Sequence, residues 1–339
     1  MGFQLTKSAM EQVLEKWAEV YDIYAPKVFV GGGMYSDTDC VRYGQVTGLD
    51  EVAFDQKAAY SFKEAFLPNA QTLFYFSDEH VQESADTKKD ILVFLRSCDM
   101  HAVKRLDAVY LENGVEDYYY RRLRDKVKFV LMGCENGFES CFCVDMKTNI
   151  SENYDFGLNK KGDTFQLDCK VSEWNEAFAE VAEQELDVTP AYVTENKTRV
   201  NVPKDIPMSV IKSQFWDSYD ARCIACGRCN FVCPTCTCFS MQDMYYTDNE
   251  NAGERRRVWA SCMVDGYSDV AGGGSYRKKN GERMRFRVLH KVWDFKQRKG
   301  YHMCVGCGRC DDVCPEYISF SHCVNELDKV CQEVSGNDA

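Results

Sequence analysis

No run of about eighteen apolar residues occurs anywhere in the chain, so no membrane-spanning helix is expected. The first residues, MGFQLTKSAMEQVLEKW, lack the basic stretch and apolar core of a secretory leader. Positive charge is not in excess: 41 Lys and Arg face 53 Asp and Glu, for a net charge of −12, which argues against general nucleic-acid binding. An acidic surface could steer a basic partner, but ordinary solubility accounts for it more simply. The five histidines (His80, His101, His290, His302, His322) are scattered, and neither a nucleophile–base pair nor a GK[ST] phosphate loop is present. Gly31, Gly32 and Gly33 follow a strand-like KVFV, yet the rest of a dinucleotide fingerprint is missing, so a tight turn is the simpler expectation.

Cysteine, by contrast, is abundant, with 19 in 339 residues. Without a leader these read as metal ligands and thiols of a reducing cytoplasm, not as disulfides. Eight of them form two copies of C-x2-C-x2-C-x3-C-P. The first copy is Cys223, Cys226, Cys229, Cys233 and Pro234, and the second is Cys304, Cys307, Cys310, Cys314 and Pro315. Each cysteine returns at one offset (304 − 223 = 314 − 233 = 81). Three thiolates at this spacing wrap one iron–sulfur cube, and the fourth leaves in another direction to ligate the other cube. The spacing therefore assigns one [4Fe-4S] cluster to Cys223, Cys226, Cys229 and Cys314, and a second to Cys304, Cys307, Cys310 and Cys233. Zinc fits less well, because its sites use paired C-x2-C knuckles.

Upstream, residues 8–21 carry an apolar stripe (Met10, Val13, Leu14, Trp17, Val20, Tyr21) behind a capping-box pair, Ser8 and Glu11. Short apolar runs at 73–76, 91–95 and 127–132 read as strands, the last two as buried parallel strands joined by a helix carrying Ala102, Val103, Leu106, Val109 and Tyr110. Cys98 and Cys134 follow those two strands, at the sheet edge where ligands collect in open α/β folds. With Cys141 and Cys143 they make a candidate four-thiolate site for a third [4Fe-4S] cluster, against the plainer reading of small core residues. Asp99 is a substitute ligand or a helix cap. A second amphipathic helix is expected over 174–185.

Pro190, Pro203 and Pro207 mark a polar stretch, and a domain boundary is expected near residue 205. The fold class expected is α+β: an N-terminal α/β sheet domain (1–205), then a C-terminal dicluster ferredoxin-like, largely helical domain (206–339) with a long insert between its motifs. Within that insert, residues 277–299 hold ten Lys and Arg against Glu282 and Asp294, a local excess of +8. Such cations could hold an anionic cluster or form a docking face, and a solvated strip is the commonest use of a charge run. Cys40, Cys169, Cys236, Cys238, Cys262, Cys323 and Cys331 are expected to be structural or spare thiols, with Cys236 close to a cluster.

Several blocks carry a family resemblance: RSCDMHAVKRLDAVYLENGVEDYYY, MGCENGFESCFC, ARCIACGRCNFVCPTCTCF, WASCM, HKVWDF and CVGCGRCDDVCP. Together they resemble the iron–sulfur electron-transfer component of anaerobic, siroheme-linked sulfite reductase, and the related beta subunits of soluble sulfhydrogenases share them. The resemblance implies a cytoplasmic electron carrier. It would stand between two partners: one that binds flavin and NADH, and a siroheme subunit that reduces sulfite to sulfide. The sulfhydrogenase alternative implies a nickel–iron partner. The chain itself has no siroheme-type cysteine pattern.

Overall fold

The computed structural model describes residues 2–35, 37–85 and 89–337. Among the described residues no helix is long and apolar enough to cross a membrane. The chain divides into two compact units: residues 1–136, 149–194 and 239–259 in the first, residues 137–148, 195–238 and 260–339 in the second.

The first unit is built on an eight-stranded sheet. Its order is Gln184–Glu185, Gly2–Thr6, Thr164–Cys169, Phe156–Lys161, Val127–Met132, Asp90–Leu95, Tyr21–Phe29, Cys40–Gln45. The four strands from Phe156–Lys161 to Tyr21–Phe29 are mutually parallel, and antiparallel strands flank them. The apolar runs ILVFL and VKFVLM form the centre because a strand covered on both faces needs side chains without polar demands. The helix Ser97–Tyr110 is the crossover between these two strands, with Ala102, Val103, Leu106 and Tyr110 buried.

The helix Lys7–Val20 buries Met10, Val13, Leu14 and Trp17, as its stripe requires, while Val20 lies exposed. Its cap differs from the expected Ser8–Glu11 box. Thr6 Oγ1 accepts the Ala9 N–H at 3.1 Å, and the Glu11 carboxylate instead accepts the Leu49 N–H at 2.9 and 3.0 Å. The glycines at 31–33 turn Tyr21–Phe29 into a hairpin with Cys40–Gln45, so no helix follows them. The helix expected over 174–185 stops at Ala179, and Gln184–Glu185 is already an edge strand.

A second sheet in this unit is antiparallel: Phe239–Tyr245, Ala252–Trp259, Ala70–Ser77, Val81–Glu83. Its first two strands come from the insert between the cysteine motifs. They join the N-terminal half because Ala252–Trp259 pairs along Ala70–Ser77 from Ala252↔Ser77 to Val258↔Ala70. A single boundary near residue 205 therefore does not divide the chain.

The second unit holds helices, loops and a two-stranded sheet of Asp269–Val270 and Gly274–Ser275. A helical run covers Asn280–Leu289, a π turn at His290–Asp294, and Phe295–Lys299, and the helix Phe320–Asn337 closes the chain. Met284, Val288, Val292, Phe320, Val324 and Leu327 lie in its core.

Candidate iron–sulfur centre

The offset of 81 residues between the two cysteine motifs is also an offset in backbone. Ala225 and Gly306 both have positive φ (55° and 65°), as do Gly227 and Gly308 (74° and 69°). The left-handed residue at 227 or 308 starts a one-turn helix, Arg228–Phe231 or Arg309–Asp312, so the backbone turns between the second and third cysteines of each motif. Cys223 Sγ accepts the Ala225 N–H at 3.4 Å, and Cys304 Sγ accepts the Gly306 N–H at 3.4 Å. Donation to sulfur favours its anionic, ligating form.

A cavity in this unit is lined by Cys223, Cys226 and Cys229 of the first motif and by Cys310, Cys314 and Pro315 of the second. The other half of the cysteines also groups across the motifs. Burial raises the thiol of Cys304 to about 12, and the nearby sulfurs of Cys307 and Cys233 add to the rise. Burial raises Cys310 as well; Arg287 opposes it, and Asp311, Cys307 and Cys233 reinforce it. Cys226 is exposed and its counterpart Cys307 is buried, so the first group lies nearer the surface. Among the described residues no three His, Cys, Asp or Glu side chains converge on the point that a single ion would occupy. Four thiolates around one zinc would stand about 4 Å apart; here they are spread round a cavity.

Two cations lie among these sulfurs. Arg287 and Lys291 are 4% and 3% exposed, and neither has a carboxylate partner among the described residues. Arg287 Nε donates to Asn230 Oδ1 at 3.1 Å, and its guanidinium lies 4.7 Å from the centre of the Phe320 ring. Burial would lower its pKa, but the sulfurs of Cys229, Cys310, Cys236 and Cys233 outweigh that and hold it above the usual arginine range. For Lys291 burial is again the largest influence and again opposes the charge; Cys233, Cys236 and Cys304 override it. Lys291 Nζ donates to Thr235 Oγ1 at 2.7 Å. Because an ammonium can only donate, the Thr235 hydroxyl is left to give its hydrogen to Cys233 Sγ, 3.4 Å away. A buried cation without an acid costs several kcal/mol. An anion of thiolates and iron is the partner this donor set fits.

The π turn fixes these groups to the second motif. The Lys291 carbonyl accepts the N–H of Met303 at 3.0 Å and of Cys304 at 3.1 Å, and the Val292 carbonyl lies 2.8 Å from His302 Nδ1, which therefore carries the hydrogen. Of the ten basic residues in 277–299, Arg283, Arg287 and Lys291 are buried. Their i, i+4, i+8 spacing runs beside Met284, Val288 and Val292 along the helix and its π turn. Arg283 is satisfied separately, by Asp265 and by Asn280 Oδ1 at 2.9 Å.

The candidate third group is distributed as follows. Cys98 lies in the first turn of the helix after Asp90–Leu95, and Cys134 follows Val127–Met132, its Sγ 3.5 Å from the Asn136 carbonyl. Both belong to the first unit. Asp99 is fully buried in the same first turn and accepts from Tyr43 Oη at 3.5 Å; the cap position is Arg96. Cys141 and Cys143 belong to the second unit, where Cys141 Sγ lies 3.7 Å from the Cys307 carbonyl and Cys143 Sγ 3.6 Å from Asn196 Oδ1. Cys236 is buried, and the neighbouring Cys233 and then burial raise its thiol above the usual range.

The 4Fe-4S dicluster domain family matches residues 222–318, the stretch that holds both cysteine motifs. The chain is similar to sulfhydrogenase 2 subunit beta of Pyrococcus furiosus, with 28% identity over 334 residues, covering 92% of this chain and 98% of that protein. No solved structure matches the chain.

Proposed function

We propose that this chain is the iron–sulfur electron-transfer subunit of a cytoplasmic multisubunit oxidoreductase. Cys223, Cys226, Cys229 and Cys314 hold one [4Fe-4S] cluster, and Cys304, Cys307, Cys310 and Cys233 hold the other. The observation that carries this reading is the pair of buried cations, Arg287 and Lys291, whose surroundings are cysteine sulfurs rather than carboxylates. Bound clusters supply one-electron oxidation and reduction. The protein's part is to wrap them, to exclude water from the second group, and to leave Cys226 at the surface where a partner can approach. Cys98, Cys134, Cys141 and Cys143 are proposed as ligands of a third cluster. Iron analysis tests this: about twelve irons per chain supports three cubes, and about eight leaves only two.

Two complexes fit the role. The sequence blocks support an anaerobic sulfite reductase, in which flavin/NADH and siroheme subunits flank the chain. The similarity to a sulfhydrogenase beta subunit supports a hydrogenase complex instead. Anaerobic purification of the native complex separates them. A siroheme spectrum with sulfide formed from sulfite establishes the first, and nickel without siroheme establishes the second. Partners with neither group would overturn both.

A further inference from the structure

The residue after the third cysteine differs between the two motifs, although the backbone repeats. Asn230 follows Cys229, and Asp311 follows Cys310 at the same offset (311 − 230 = 81). Asn230 is neutral, and its Oδ1 accepts from the Arg287 guanidinium. Asp311 brings a carboxylate to the same place, with Oδ1 3.5 Å from Cys310 Sγ. Among the described residues, neutral donors alone hold its oxygens. Oδ1 accepts the Phe320 N–H at 2.7 Å. Oδ2 accepts the Ser319 and Ser321 hydroxyls at 2.8 and 2.9 Å and the Ser321 N–H at 3.4 Å. These donors open the helix Phe320–Asn337, whose N-terminus offsets about half an elementary charge.

We propose that Asp311 sets the two centres apart, making the one held by Cys304, Cys307, Cys310 and Cys233 the harder to reduce. One-electron reduction adds a negative charge, and the carboxylate beside Cys310 opposes it. A cysteine that ligates iron has no hydrogen to give Asp311, so the two groups meet as charge against charge. Each centre has one buried cation. Arg287 lines the cavity of the first group, and Lys291 Nζ bonds to Thr235 beside Cys233 of the second. Among the described residues no carboxylate bonds to a sulfur of the first group. Glu316 also lines the first cavity, but it is exposed and water screens it.

The first group also lies nearer the surface, and solvent exposure adds to the difference. An electron therefore rests on the surface centre, and its step to the inner one is uphill. This ordering rests on the ligand sets proposed above and goes beyond them by assigning one residue to the difference.

The test is an anaerobic redox titration of the iron-loaded full-length protein, followed by electron paramagnetic resonance. Cys226→Ser and Cys307→Ser each remove one signal and so identify the first and second centres. In wild type, the signal that Cys307→Ser removes should have the lower midpoint. Asp311→Asn keeps the shape of the side chain and can still bond to Phe320, Ser319 and Ser321. It should raise that midpoint by a tenfold change in the reduction equilibrium, about 59 mV, and move the other much less. Asp311→Glu restores the charge and should bring the midpoint back towards wild type. If Asp311→Asn fails to hold iron, the order of the wild-type midpoints still decides. A second centre with the higher midpoint overturns the proposal. So does an Asp311→Asn midpoint that stays, falls, or moves equally in Asp311→Glu. Wild type without cluster signals, or cysteine variants that keep every signal, would defeat the ligand sets themselves and the ordering with them.

Discussion

Arg287 and Lys291 are where single side chains say most about what this protein holds. A charge kept from water needs an opposite charge, and both side chains are surrounded by sulfur. Lys291→Met removes one cation from beside Cys233 and Cys304. The added electron on the cluster there loses its stabilisation, so the midpoint potential falls. A tenfold change in that equilibrium is about 59 mV for one electron, which sets the scale expected. A redox titration followed by electron paramagnetic resonance reads it, and one of the two signals should move much more than the other. The iron-free protein should lose no stability, because replacing an unpaired buried ion with an apolar side chain is neutral or favourable. The exposed Cys226 provides a second contrast. Cys226→Ser should remove one cluster signal and cut partner-coupled activity, whereas Cys40→Ser should do neither. Cys40 starts an edge strand opposite Phe29, with its Sγ near the Val41 carbonyl and far in sequence from either motif. Lost activity in Cys40→Ser would undo the separation of ligands from spare thiols.

At the scale of elements, the repeated motif works through its left-handed turns. A Cβ at Gly308 would overlap the Ser140 carbonyl oxygen and sit 2.5 Å from its Oγ, in a backbone conformation with φ of 69°. Gly162 has a similar φ of 62° with nothing within 4 Å of such a Cβ. Gly162→Ala should therefore cost about 1 kcal/mol of backbone strain. Gly308→Ala adds overpacking, for a total of roughly 3 kcal/mol. Loss of visible absorbance on heating the iron-loaded protein should come well earlier for Gly308→Ala. The motif itself was fully legible in the sequence, because ligand spacing is local chemistry. The central strands were legible too, since ILVFL and VKFVLM have no polar residue to satisfy except Lys128. The helix Lys7–Val20 showed its buried face but not its cap, because Glu11 is claimed by Leu49, a partner 38 residues away. The basic run could be counted but not sorted. Burial of Arg287 and Lys291 depends on a helix and a π turn that period-counting does not reveal. Asn230 and Thr235 gave no signal at all, since each matters only through the cation that orients it.

The whole molecule is interleaved rather than consecutive. The stretch between the two cysteine motifs leaves the second unit at Phe239 and returns at Ala260, after supplying two strands to the sheet that contains Ala70–Ser77. In the other direction, residues 137–148 leave the N-terminal half and pack on the second motif: Phe142 N donates to the Gly306 carbonyl at 2.8 Å, and Thr148 Oγ1 to the Val305 carbonyl at 2.7 Å. A fragment of residues 206–339 carries all eight motif cysteines, and the spacing alone would call it a complete ferredoxin-type domain. It lacks both of these pairings. Ala252–Trp259 loses the strand beside it and becomes an unpaired edge, a template for aggregation. The loop around Gly306 loses the backbone that covers it. The fragment should therefore aggregate and hold less iron per chain than the full-length protein prepared in parallel, and adding residues 137–148 as a separate peptide should not restore the missing strand partner. Size-exclusion chromatography and iron analysis of the two preparations check this. A soluble fragment with about eight irons would show that the dicluster region folds alone and that the interleaving is incidental to holding the clusters.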